Sequence, residues 1–133
     1  MPLAIFIIVS MAGFALGMAR TTSQTNSSAT QTMISIQAFY AADTGAQWGM
    51  NRLFYNTSGA ISRASVDANC TALAGQGVSF DVVGLKNCST QLQCVIDVDS
   101  SNTISYYRIT SAAACGNAPI FAQRTVELSA FMK

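Results

Sequence analysis

The sequence predicts an α+β fold in which one long N-terminal helix packs on a small four-stranded antiparallel sheet. Three observations carry this. The first 19 residues hold no charged side chain, and Arg20 is the only one before Asp43. Apolar and small residues recur at helical spacing between Met33 and Tyr55, and beyond residue 77 the period of apolar residues changes to two.

An uncharged run of 19 residues reaches about 28 Å as a helix, close to the hydrocarbon thickness of a bilayer. A removable secretory signal would find small residues for cleavage at Gly17-Met18-Ala19. Against it, the run opens Met1-Pro2-Leu3 with no basic stretch before the apolar core. A helix buried in a soluble core is the other rival, but Ser10, Gly13 and Gly17 without a polar stripe suit lipid, or packing among like helices. The segment reads as an apolar anchor retained in the mature protein.

The whole chain has 133 residues, half of them hydrophobic, with 10% charged and a net charge of +1. That composition fits a small domain tethered to a membrane better than a free enzyme. Residues 1–56 form the anchor and its helical extension, and residues 57–133 form the head. About 77 residues is near the lower size at which a core holds without staples. Cys70, Cys88, Cys94 and Cys115 all lie in the head, and none pair as C-x-x-C. With no histidine and irregular cysteine spacing, zinc is disfavoured and two disulfides in an oxidising compartment are expected. Scattered Arg and Lys give no footprint for nucleic acid.

Residues 21–32 are Ser, Thr, Gln and Asn with a single Ala, poor in strong helix formers. They suit a weakly helical or extended spacer, a disordered linker, or a helix melted in its middle. From Met33 the helical pattern returns, and Ala38, Ala42, Gly45 and Gly49 put four small residues on one face. Such a stripe admits another backbone closely, either the chain's own sheet or a neighbouring subunit, with Ile36, Phe39, Tyr40, Trp48 and Leu53 as bulk around it. Asn56-Thr57-Ser58-Gly59 ends the helix with turn chemistry.

Residues 59–77, rich in Ser, Ala, Gly and Asn, read as a loop. Strands follow at 78–83, around Leu92, Cys94, Ile96 and Val98, at 103–111 and at 121–132. If the second and third strands turn about Ser100 and Ser101, Cys88 falls near Ala114 and Cys115, while Cys94 falls near Arg108. Joining Cys94 to Cys115 would then cross about seven residues of strand, roughly 23 Å, far beyond disulfide reach. Cys88 with Cys115 and Cys70 with Cys94 is the favoured pairing.

Chemistry is sparse. Without histidine there is no Ser-His-Asp or Cys-His arrangement, and no glycine-rich phosphate loop is visible. The residues imply no enzyme, cofactor or metal. Asp97 to Asn102 has the spaced oxygens of a calcium loop without its sixth-position glycine or closing glutamate, and an ordinary polar turn is favoured. Asn-x-Ser/Thr triplets at Asn26, Asn56, Asn69 and Asn87 are expected by coincidence in so Ser/Thr-rich a chain.

An apolar N-terminal helix, a second helical half bearing Ala41-Ala42-Asp43-Thr44-Gly45-Ala46-Gln47-Trp48, and a disulfide-stapled sheet together resemble type IV pilins and the pseudopilins of type II secretion. The stretch from Gln37 to Leu53, with the opening Leu3-Ala4-Ile5-Phe6, is most similar to minor pilins of the mannose-sensitive haemagglutinin pilus system. The likeness covers the first 55 residues well, and the head only through strand pattern and cysteines. It implies a leader removed by a prepilin peptidase and a methylated amine on Met1. It further implies an inner-membrane stage with the head in the periplasm, an assembly platform in that membrane, other major and minor pilins as partners, and final residence in an extracellular filament. Pilins usually carry a glutamate at the fifth mature position, where this chain has Ile5. In the apolar filament core that carboxylate offsets a neighbouring subunit's amine, which a tip subunit would not need to do. The resemblance thus implies a structural subunit that primes assembly or caps the tip, with a tip-displayed adhesin as the alternative. Ile5, Ala38, Ala42, Gly45 and Gly49 are the candidate assembly residues.

Overall fold

A computed structural model describes residues 2–55 and 60–133, and the side chains of all of these save residues 2, 3 and 23–26. Met1 and the expected turn at 56–59 lie outside the described residues. Helix α1 spans Pro2–Tyr55 and α2 spans Arg63–Leu73; strands β1 (Gly77–Phe80), β2 (Cys88–Val98), β3 (Ser105–Asn117) and β4 (Ile120–Met132) follow. The strands form one antiparallel sheet in sequence order. The chain divides into two compact units, one ending at Met33 and one spanning Ile34–Lys133. The division falls inside α1 because its second half belongs to the core of the head.

The weak spacer expected at 21–32 is helical throughout. Hydroxyl groups there bond back to the preceding turn: Thr21 Oγ1 donates to the Gly17 carbonyl at 2.7 Å, Thr22 Oγ1 to Met18 at 2.9 Å and Thr32 Oγ1 to Ser28 at 2.9 Å. Ser and Thr side chains that could compete with the helix thus fold onto it.

The loop expected at 59–77 holds helix α2. Ser62 caps it, its hydroxyl accepting from the Ser65 amide while Ser65 Oγ accepts from the Ser62 amide. Val66, Cys70 and Leu73 then fall at i, i+4 and i+7 and are buried. Two polar contacts fix α2 in place. The buried Asn69 side chain donates to the Leu53 carbonyl at 2.9 Å, near the end of α1, and Tyr107 Oη donates to Asp67 at 2.7 Å.

The core has two parts. Leu53, Val66, Cys70, Leu73, Leu92, Tyr107 and Ile109 form one, and Ala38, Ala41, Ala42, Cys88, Ala113 and Cys115 form the other. Strand limits shift from expectation: β1 ends at Phe80, and β3 starts at Ser105 and runs to Asn117. The β2–β3 register is displaced by one residue, since Cys94 faces Ile109 rather than Arg108, while Cys88 faces Cys115. The turn causes the displacement. It is centred later, because Asp99 organises residues 99–104 and the last closing pair is Val98 with Ser105.

Candidate functional site

The most exposed apolar surface lies on the first unit. Ile5, Phe6, Ile8, Val9, Met11, Phe14, Leu16 and Met18 are each at least 64% exposed. These positions cover every side of a helix, so no single partner face accounts for them. By length and composition the helix is able to cross a membrane, and none of its most apolar window is buried. Its polar atoms suit such surroundings, since Ser10 Oγ donates to the Phe6 carbonyl at 2.8 Å. Gly13 and Gly17 have open space above them, in a shallow groove flanked by Phe14 and Met18. Ile5 is 64% exposed and presents no charge.

The small-residue stripe of α1 faces the chain's own sheet. Ala38 and Ala42 are fully buried, and Gly45 and Gly49 are buried with them. A methyl group on Gly45 would lie 2.6 Å from Ser111 Oγ and 3.0 Å from Thr90 Oγ1. On Gly49 it would meet Ile109 and Leu73 at 3.3 Å. Of the two surfaces weighed for this stripe, the chain's own sheet is the one these four residues meet, and they let the helix sit close on it. Ala41 and Ala46, which the four-residue stripe omitted, are also fully buried. The outer side of this half carries Ile36, Phe39 and Tyr40, each at least half exposed, with the two rings edge to face at 6.0 Å. Arg52 lies over the Trp48 ring at 5.0 Å.

One disulfide ties the sheet to α2 and the other joins two of its own strands. Cys70 joins Cys94, fastening α2 to β2, and Cys88 joins Cys115 across the β2–β3 ladder.

On the sheet's outer face, Tyr106 is 47% exposed and stacks at a tilt on Phe131, with ring centres 6.4 Å apart. Arg108 pairs with Glu127 at 3.3 Å, both well exposed. Asp97, Tyr106, Arg108 and Ser129 line a recess of about 280 Å³. Tyr107 points the other way and is buried. Burial, and donation of its proton to Asp67, raise the Tyr107 phenol above its usual value.

Asp99, within the weighed calcium loop, has both carboxylate oxygens engaged. Oδ1 accepts from the amides of Thr103 at 2.7 Å and Ile104 at 2.9 Å, while Oδ2 accepts from the hydroxyls of Ser101 and Thr103. The Ser101 bond, followed by the Ile104 amide, holds the acid well below the usual carboxylate range. Arg63 of α2 clamps the same turn through the Asn102 carbonyl and side chain. The arrangement is a closed turn, and among the described residues no group of three or more His, Cys, Asp or Glu is placed to hold a metal.

No family model matches this chain, and the searches of curated proteins and of solved structures return no match.

Proposed function

We propose that the protein is a minor pilin or pseudopilin, a structural subunit that primes assembly or caps the tip of a type IV filament like that of the mannose-sensitive haemagglutinin system, where its counterpart is the P component. One observation carries the reading. A single helix exposes apolar side chains on every side between Ile5 and Met18, and the same helix then contributes a buried small-residue face to a disulfide-stapled sheet. A free enzyme has no use for the first feature, and a plain membrane anchor needs no helical continuity into the head.

In this proposal the first unit holds the subunit in the inner membrane with the head in the periplasm. After a prepilin peptidase removes a leader, the assembly platform moves the helix from lipid into a bundle of other pilin helices. Ile5 supplies no carboxylate for a neighbour's amine, which favours the tip, where no subunit lies above. Mass spectrometry of the native N-terminus tests the assignment. A methylated amine on Met1 is expected, and a formylated or unmodified initiator methionine refutes it.

A second reading, a binding head displayed at the tip, is favoured by the exposed Tyr106–Phe131 pair beside the recess formed with Asp97 and Arg108. It keeps the same mount and adds a ligand.

A further inference from the structure

The two edges of the sheet are unlike. β1 is four residues long, whereas β4 is an edge strand of thirteen. Long edges are usually blunted by charge, proline or a bulge. β4 contains no proline, and both its charged side chains are engaged within the chain: Arg124 donates to Ser35 Oγ at 2.6 Å, and Glu127 pairs with Arg108.

The two ends of the strand also mirror each other about Val126. Ile120 mirrors Met132, Phe121 mirrors Phe131, and Ala122 mirrors Ala130. Reversal about a central residue is what an antiparallel pair related by a two-fold axis requires, because each residue then meets its mirror position on the other chain. We propose that the β4 edge is a homodimer interface, in which β4 of a second copy adds antiparallel with Val126 opposite Val126 and the two sheets become one of eight strands.

In that register the exposed Phe131, at 68%, lies beside the partner copy's Phe121, 58% exposed in its own chain, and extends the Tyr106–Phe131 pair into an aromatic row. Each end of the interface repeats the row. Charges do not oppose like charges: Glu127 meets a threonine, Thr125, and Arg124 meets Leu128. The inference is independent of the filament reading, since it rests on the edge strand alone.

Cross-linking in detergent tests it with the full chain. Gln123 and Ser129 are exposed and mirror each other. Two differently tagged variants, Gln123→Cys and Ser129→Cys, are coexpressed and treated with a short bis-maleimide. A dimer-sized species is expected from the mixture and from neither variant alone, because like positions lie six residues apart along the strand, about 20 Å. Sedimentation should show a dimer that Phe131→Asp converts to a monomer with unchanged circular dichroism. A monomer at every concentration, no cross-link in the mixture, or a dimer that persists in Phe131→Asp would each overturn the proposal.

Discussion

The contact between Gly45 and the sheet is tight enough for its energetics to be worked out. Replacing Gly45 by Ala raises helix propensity by about 1 kcal/mol. The new methyl would sit 2.6 Å from Ser111 Oγ, 3.0 Å from Thr90 Oγ1 and 3.2 Å from Thr90 Cβ. Thr90 Cβ is set by the β2 backbone and the two hydroxyl oxygens can yield only by turning about χ1 in a packed interface, so either they or the helix must shift, and overpacking of this kind costs about 1–3 kcal/mol. With the contact at the severe end, Gly45→Ala should destabilise by about 2 kcal/mol net. Ser111 Oγ is buried without a hydrogen-bond partner, so Ser111→Ala should be neutral or stabilising by about 1 kcal/mol. It also removes the closest of the three clashes. The double variant should therefore recover most of the loss, with a coupling of about 2 kcal/mol between the sites.

Gly49→Ala is the internal control, because its methyl meets Ile109 Cγ2 and Leu73 Cδ2 at 3.3 Å and Leu92 Cδ2 at 3.5 Å, methyl groups that need give only slightly, and should cost less than Gly45→Ala. The assay is denaturant or thermal unfolding of the full chain in detergent, followed by Trp48 fluorescence, where 1 kcal/mol moves the midpoint by roughly 4 °C for a unit of this size. A Gly45→Ala variant as stable as the parent, or one that Ser111→Ala fails to rescue, would show that the stripe does not seat the helix on the sheet.

Further outcomes follow from the same structure. Asn69→Ala should cost about 1 kcal/mol, since it removes a buried hydrogen bond to the Leu53 carbonyl, and α2 amides should exchange faster. Asp99 has a folded-state acidity below its unfolded value, so its contribution is present above the unfolded value of about 3.9 and is lost only as pH falls through the lower folded value. Amide protection at Thr103 and Ile104 should thus survive acidification through pH 4, and its loss near that pH would refute the closed turn. Gold label on the head should mark filament ends, and label along the shaft would refute the cap. Ile5→Glu should impair piliation, because a tip offers no amine to pair with the new carboxylate.

The sheet was legible because alternation survives in β2: Leu92, Cys94 and Ile96 do face inward, between exposed Gln93, Val95 and Asp97. The same alternation placed the cysteines well enough to choose a pairing, even with the register one residue out. Helix α2 was not legible from composition, because Ala64, Ser65, Ala68, Asn69 and Thr71 look like loop residues. Its signal lay in the Ser62 cap and in Val66, Cys70 and Leu73, a period of 3.6 too short to stand out. The polar stretch before Met33 misled in the opposite sense, since its low propensity is offset by hydroxyls bonded to their own helix. Which surface the small stripe of α1 serves could not be read from spacing, because a sheet and a second helix ask for the same small residues. Contacts to Thr90, Ser111 and Ile109 decide it.

With that stripe used inside the chain, any intersubunit contact of α1 must come from its other surfaces, and these carry apolar residues in two bands. A bilayer would cover the first band, up to Met18. It gives no account of Ile36, Phe39 and Tyr40, which stay half exposed on a unit whose own core is complete without them. Between the bands in sequence lie thirteen residues from Arg20 to Thr32, about 20 Å of helix, almost wholly polar but carrying one charge. A simple anchor would favour charge there, to hold the segment in water. A helix that must leave lipid and pack among other helices is better served by hydroxyls that satisfy themselves and leave little charge to desolvate. The second apolar band and the nearly uncharged spacer are the features that the proposed filament subunit would need, a helix suited first to lipid and then to other helices.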